Sequence, residues 1–175
     1  AVTEDVPREL RERHLETNNY IPFIRGDYIN QNLRKFAEAE GGELVAFKRF
    51  SWKGRLLLDR ANKLSYSITS QANLQQIPKK HRIRPHFLQT LLNKENRDLE
   101  GRYQQMSMYE MDQFDPDTYD YDFEDIVGGA FDPSEGYRHC VIAYQAVRDE
   151  LIDIKLVLLD AMFNEFDSSD YYNGS

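Results

Sequence analysis

The spacing of hydrophobic residues changes from a helical period to an alternating one near residue 43. From 28 to 40 apolar residues recur every three or four positions, with Asp27 placed to cap a helix and Gly41 to end it. After that, apolar and polar residues alternate as in strands, and Gly54 can supply the positive φ of a turn. The pattern predicts a helix, then an antiparallel three-strand meander of 44–50, 55–59 and 64–69.

Further elements follow the meander. Ser70 is placed to cap a brief helix through Ile77, and Pro85 suits the first turn of a second helix through about Lys94. Alternating apolar runs predict two C-terminal strands, 137–147 and 151–160. In the second, one face carries Ile152, Ile154, Leu156 and Leu158. Weaker patterns suggest a helix at 4–16 and a strand at 103–109.

These elements predict a single α+β domain. It would hold an antiparallel or mixed sheet of about five strands, the meander plus a C-terminal hairpin, with helices packed on one face. A chain of 175 residues suits one core. The expected parts are an N-terminal helix and linker at 1–26, a core at 27–166, an acidic aromatic loop at 110–136 and a frayed tail at 167–175.

Charge is strongly segregated along the chain. Residues 1–105 hold 19 Lys or Arg against 13 Asp or Glu, and residues 106–175 hold 3 against 17. The two regions either form ion pairs with each other within the molecule, or each faces a charged partner of its own. No apolar run approaches the roughly 20 residues that a membrane-spanning helix needs, which argues against a membrane partner. The single cysteine, Cys140, and the absence of a secretory leader favour the cytoplasm.

The acidic aromatic loop is the first candidate binding site. Counted from Asp115, its sixth residue is Asp120 rather than glycine and its twelfth is Ile126 rather than glutamate, so it is not an EF-hand loop. Interleaved acids and aromatic rings can dock into a basic groove or imitate a nucleic-acid backbone. The candidate binding residues are Asp115, Asp117, Tyr119, Asp120, Tyr121, Asp122 and Phe123.

The basic middle of the chain is the second candidate. Its cations suit phosphates, and Trp52 or Tyr66 could stack on bases. The net charge of −8 opposes this, because it repels polyanions at long range. The candidate nucleic-acid or anion contacts are Lys48, Arg49, Trp52, Lys53, Lys79, Lys80, Arg82 and Arg84.

The order helix, strand, strand ending in an acid, strand, helix resembles the core of the PD-(D/E)xK nucleases. That resemblance implies a divalent ion held by an acid at the end of one strand and a Glu-x-Lys on the next. Asp59 fits the first position and is the candidate catalytic residue, with Glu38, Glu40 or Glu43 assisting. The third strand offers Ser65-Tyr66-Ser67 in place of Glu-x-Lys, so the resemblance covers about 45 residues without its defining pair.

Other catalytic and cofactor patterns are missing from the sequence. The four histidines lack zinc-ligand spacing, and His139 and Cys140 are adjacent in a strand, so they point to opposite faces. We therefore expect no metal and no cofactor.

Three functions follow. The leading hypothesis is a non-enzymatic protein-interaction or regulatory domain whose partner is another protein. The alternatives are a nucleic-acid-binding or nuclease-like protein, and a small acidic inhibitor that mimics nucleic acid.

Overall fold

The computed structural model describes Arg8 and residues 21–101, 111–147 and 150–173. In this part of the chain a mixed six-stranded sheet is combined with four α-helices and two short 3-10 turns. The strands are β1 (Glu43–Arg49), β2 (Trp52–Asp59), β3 (Leu64–Ser70), β4 (Arg138–Val147), β5 (Glu150–Leu159) and β6 (Glu165–Asn173). The helices are α1 (Ile21–Glu40), α2 (Gln71–Gln76), α3 (Phe87–Glu95) and α4 (Pro116–Val127).

The strands lie in sequence order across the sheet. Every neighbouring pair is antiparallel except β3 and β4, which are parallel. The crossover between these two strands contains α2, α3 and α4, as a parallel pair requires. Among the described helices, none is long and apolar enough to span a membrane.

The predicted α+β class is confirmed, as are the meander, the final antiparallel strand pair β4–β5 and the helix capped by Ser70. The Ser70 side chain accepts a hydrogen bond from the backbone N of Asn73 at 3.2 Å. The prediction that helices cover one face is wrong in detail. Helices α3 and α4 pack over Leu56 and Leu58, whereas α1 lies beside Leu57, which points to the opposite face.

Two boundaries in the first half differ from the prediction. Helix α1 begins at Ile21, so Asp27 lies inside the helix and does not cap it. This earlier start is possible because a proline, here Pro22, is tolerated in the first turn of a helix. The β1–β2 turn is Phe50-Ser51, where Phe50 has φ +55°. Gly54 lies within β2 opposite Phe47, and a Cβ there would come within 2.3 Å of the Phe47 ring. This glycine makes room for aromatic rings and does not form the turn.

The acidic tract is a helix rather than the predicted loop. It starts at Pro116, which suits the first turn, and ends at Gly128, whose φ is +57°. Its buried residues recur at helical spacing and join the core under the sheet, so packing offsets the crowding of like charges. They are Tyr119, Asp122, Phe123, Ile126 and Val127.

The C-terminal segment also differs from the prediction. Residues 167–173 of the expected frayed tail belong to β6, whose backbone pairs with β5 although its sequence is polar. In β5 the predicted apolar face is only half-buried. The buried side chains are those of Asp153, Val157 and Leu159 on the other face. The predicted helix 4–16, apart from Arg8, and the predicted strand 103–109 lie outside the described residues.

The burial pattern of α4 generates the first prediction. Phe123 is 1% exposed, whereas Tyr121 is 79% exposed. Phe123→Ala should lower the free energy of unfolding by about 3–5 kcal/mol because it leaves a cavity in the core. Tyr121→Ala removes an aromatic ring from the solvent side and should change it by less than about 0.5 kcal/mol. Urea denaturation measures both, and equal losses would contradict this helix register.

Candidate basic cleft

A cleft of about 1090 Å³ opens beside the carboxyl ends of β3 and β4. Its walls come from α1, the β1–β2 turn, the end of β3 with the start of α2, and the segment 81–87. This size is at the upper end of the range for ligand sites, which is about 300–1,000 Å³. A second pocket, lined by α1 and β2, is about half as large at about 580 Å³.

The permanently charged side chains that line the cleft are all positive. None of the described residues that line it is acidic, although the whole chain carries a net charge of −8. The cationic or titratable lining residues are Arg25, Arg49, Arg55, Arg82, Arg84, His81 and His86. Burial, together with the smaller effects of the charges of Arg82, Arg49 and Lys80, lowers the pKa of His86 to about 3. This histidine therefore stays neutral, and the arginines carry the positive potential.

Two of the arginines have structural partners. Arg49 Nη2 lies 2.5 Å from Asp122 Oδ1 and donates to Pro85 O at 2.9 Å. Arg82 Nη1 donates to Ile77 O at 2.6 Å and Lys80 O at 3.0 Å. These bonds hold the turn after β1 and the segment 81–87 against the core. They shape the wall of the cleft.

Arg55 and Arg84 differ, because neither forms an ion pair with any residue that the structure describes. Arg84 Cζ lies 5.4 Å from the ring centroid of Phe50, a cation–π contact that leaves its N–H groups available. These two guanidinium groups can therefore meet an incoming anion without first breaking an ion pair.

Aromatic rings stand beside these cations. Trp52 is 49% exposed, and its ring is 5.2 Å from Phe87 and 5.5 Å from Phe47 between centroids. Phe50 is 77% exposed at a backbone position that L residues adopt at a cost of about 1–2 kcal/mol. An anchored, half-exposed indole and an exposed ring on a strained turn form a surface suited to stacking.

The predicted basic residues are only partly brought together. Arg49, Trp52, Arg82 and Arg84 line the cleft, whereas Lys48, Lys53, Lys79 and Lys80 are exposed outside it. The lysines adjoin lining residues: Lys48 and Lys53 face each other across β1–β2 beside Arg49 and Trp52, and Lys79 and Lys80 directly precede His81. Tyr66, the other predicted stacking residue, does not line the cleft.

The acidic and basic regions do pair within the molecule, at specific points. Asp122 holds Arg49 and accepts a hydrogen bond from Thr90, Asp112 lies 2.9 Å from His81 Nδ1, and Asp120 binds Lys94. Hydrogen bonds from His81 and from the backbone N of Arg82 lower the pKa of Asp112. These contacts fix α4 and the segment 81–87 but supply no acid to the cleft.

Helix α4 places some of the predicted acidic binding residues in the core and others at the surface. Tyr119, Asp122 and Phe123 are buried and cannot meet a partner in this conformation, which corrects their assignment to an exposed loop. Asp115, Asp117, Asp120 and Tyr121 are exposed. Of the predicted acidic binding residues, only these four are accessible to a partner.

Asp59 is at the end of β2, as predicted, but its carboxylate accepts hydrogen bonds from Asn62 N at 3.0 Å and Asn62 Nδ2 at 2.6 Å. These bonds lower its pKa. It closes the β2–β3 turn and does not line the cleft. No group of three His, Cys, Asp or Glu among the described residues is placed to hold a metal ion. A nuclease activity based on Asp59 stays a prediction.

A buried polar network lies under the cleft. His139 Nε2 is 2.9 Å from Ser67 Oγ and His139 Nδ1 is 2.7 Å from Ser65 Oγ. Ser65 Oγ is in turn 2.6 Å from Glu95 Oε2. All four side chains are at most 4% exposed. Burial raises the pKa of Glu95 to about 8 and lowers that of His139 to about 3, so both are neutral at pH 7.

The sequence did not indicate this network or the cleft residues Arg25 and His86. Two polar positions on one face of β3, Ser65 and Ser67, were visible, and so was the opposite orientation of His139 and Cys140. Nothing in the sequence indicates that Glu95, at the end of α3, comes within hydrogen-bonding distance of this face.

No curated protein and no solved structure matches the chain significantly. Residues 1–173 match a protein family described as a family of unknown function, DUF5986. Since this match covers nearly the whole chain, the protein belongs to the DUF5986 family.

Proposed function

We propose that the cleft binds single-stranded nucleic acid. The observation that carries this proposal is the composition of its lining: five arginines, no acid among the described residues, and exposed aromatic rings in a protein that is acidic overall. Arginine binds phosphate oxygens through two parallel N–H groups, and aromatic rings stack on unpaired bases. The function is binding, and the proposal includes no chemical step.

The arrangement favours a strand over a single nucleotide. Exposed lysines adjoin the lining residues, Lys48 and Lys53 beside Arg49 and Trp52, and Lys79 and Lys80 before His81. A chain of phosphates could follow these lysines while bases stack at Trp52. A duplex would keep its bases stacked on each other and would leave the aromatic surface unused.

The proposal includes a cytoplasmic location, where such a ligand is available. It is supported by the single buried cysteine, Cys140, since domains exposed to oxidising compartments more often carry disulfides.

A charge-reversal experiment tests the role of the unpaired arginines. Arg55→Glu with Arg84→Glu should weaken binding of a labelled single-stranded oligonucleotide by at least about tenfold, measured by fluorescence anisotropy. The slope of log affinity against log salt should fall by about 1.4, since each lost phosphate contact on a single strand accounts for about 0.7.

The matched control is Lys35→Glu with Arg97→Glu. Both residues are exposed and outside the cleft, and the double variant changes the net charge by the same amount. It should bind nearly as tightly as the wild type. Equal weakening by the two double variants would show that only net charge matters and would reject the cleft as the site.

Trp52 provides a direct signal, because it is the only tryptophan in the chain. Base stacking on the indole should change its intrinsic fluorescence when the oligonucleotide saturates the protein. Trp52→Ala should weaken binding by about 1–3 kcal/mol, and Trp52→Phe should retain part of the affinity. Unchanged tryptophan fluorescence at saturation would contradict stacking at this position.

The exposed face of α4 supports a second candidate function, which is protein binding. Tyr121 is 79% exposed and is flanked by exposed acids that the core does not use, Asp117, Glu124 and Asp125. An exposed aromatic ring surrounded by carboxylates is suited to a basic partner with an apolar pocket.

The test is a pull-down with the double variant Asp117→Asn and Tyr121→Ala. It should lose captured protein at least about tenfold, because aromatic anchors contribute about 2 kcal/mol or more at interfaces. The control is Asp167→Asn with Asp170→Asn on β6, which are exposed acids of a different element. Unchanged capture by the α4 variant would remove this function and leave the cleft unaffected.

A further inference from the structure

An unbroken chain of polar side chains connects the core to the cleft. Ser67 borders the cleft at its inner end, with 2% of its surface exposed. Behind it lie His139 at 2.9 Å, then Ser65 at 2.7 Å, then Glu95 at 2.6 Å. Its far end is incompletely satisfied, since Glu95 Oε1 is buried with no hydrogen-bond partner among the described residues.

Hydrogen-bond chemistry allows this chain only two arrangements. A neutral imidazole donates from one ring nitrogen and accepts at the other, and each serine hydroxyl has a single hydrogen. The direction of one bond therefore fixes the direction of the next. A protonated Glu95 donates from Oε2 to Ser65, because a hydrogen on the unpartnered Oε1 would stay buried and unsatisfied. Ser65 then donates to His139 Nδ1, His139 Nε2 donates to Ser67, and the Ser67 hydrogen is left for the cleft.

The second arrangement reverses every bond. An ionised Glu95 can only accept, so Ser65 donates to it and His139 Nδ1 donates to Ser65. His139 Nε2 is then an acceptor and takes the hydrogen of Ser67. In this state Ser67 presents only lone pairs to the cleft, which disfavours an anionic ligand.

We propose that Glu95 controls, through the tautomer of His139, whether Ser67 offers its hydroxyl hydrogen or its lone pairs to the cleft. Ser67 is thus a specificity-determining residue whose polarity is set by a carboxyl group in the core. The consequence for ligand binding rests on the proposed nucleic-acid function, whereas the tautomer change does not.

The groups around the relay keep Glu95 near a physiological transition. Burial raises its pKa to about 8. Ser65 on β3 and the positive charge of Arg138 on β4 oppose that rise. Arg138 also donates to Glu95 O at 2.6 Å and is paired with Asp98. Burial and the charge of Glu95 raise the pKa of Cys140, on β4, to about 11, so Cys140 stays a thiol.

His139 does not gain a proton in this range. Burial holds its pKa at about 3, and it faces Ser65, Ser67 and, through its backbone, Asn96. The ring is therefore neutral both below and above the Glu95 transition. Only the position of its single hydrogen can change.

Nuclear magnetic resonance of histidine-labelled protein tests the relay directly. Long-range proton–nitrogen spectra should show His139 changing from the Nε2–H to the Nδ1–H tautomer as pH rises through about 8. In Glu95→Gln, which keeps the shape and removes the ionisation, the tautomer should not depend on pH. A single His139 tautomer across the same pH range in the wild type would overturn the proposal.

A stability measurement shows whether Glu95 titrates where expected. Its pKa is higher in the folded chain than in the unfolded one, so the folded state binds the extra proton between about 4.5 and 8. Wild-type stability should therefore fall as pH rises through this window and level off above it, relative to Glu95→Gln. A constant difference between the two proteins would overturn the proposal.

Oligonucleotide binding provides the functional measurement. Between about pH 6.5 and pH 9, wild-type affinity should fall about tenfold, the value of one hydrogen bond to a charged group, and Glu95→Gln should not show this fall. Ser67→Ala should lower the affinity at pH 6.5 and remove the pH dependence. A tautomer change without any oligonucleotide binding would support the relay and reject the proposed function. Binding that is independent of pH despite the tautomer change would overturn the role of Ser67.

Discussion

The buried ion pair between Arg49 and Asp122 joins the parts of this fold that carry opposite charge. Asp122 is 2% exposed and also accepts a hydrogen bond from Thr90 of α3. Arg49 reaches the carbonyl of Pro85 at the start of that helix. Removing one partner of such a pair leaves an uncompensated buried charge, which typically costs about 3–5 kcal/mol. One contact therefore ties together β1, α3 and α4.

This ion pair explains how an acidic helix can lie against a basic sheet and still leave a positive cleft. Asp122 pairs with Arg49 and Asp112 binds His81, two residues that shape the wall, while the remaining exposed acids of α4 point to solvent. Arg55 and Arg84 receive no carboxylate from the described residues. The acidic and basic regions of the chain are thus partly paired in the folded protein, and the positive charge that is left over lies at the cleft.

The polar network under the cleft follows the same rule. His139 and Glu95 are deeply buried, and burial favours their neutral forms. Two serines on one face of β3 supply hydrogen bonds, which partly offset the free-energy cost of burying His139 and Glu95. The network crosses β3, β4 and the end of α3, which are adjacent only in the folded protein.

Several features were determined by the local sequence. Alternation of apolar and polar residues specified β1 to β4, and the spacing of Pro116, Tyr119, Phe123 and Gly128 was sufficient to indicate helix α4, although the density of acids suggested a loop instead. Start and stop residues and the hydrophobic period act over a few residues, so they can be recognised in a chain without coordinates.

Other features depend on tertiary structure alone. The polar segment of β6 becomes a strand because β5 offers it backbone partners, and its side chains do not reveal this. The cleft needs Arg25 of α1, Arg55 of β2 and Arg84 of a loop, which are widely separated in sequence. The sequence by itself determined the charges and most of the elements. Only the fold decided which charges neutralise each other, because a Coulomb interaction depends on distance and burial rather than on order along the chain.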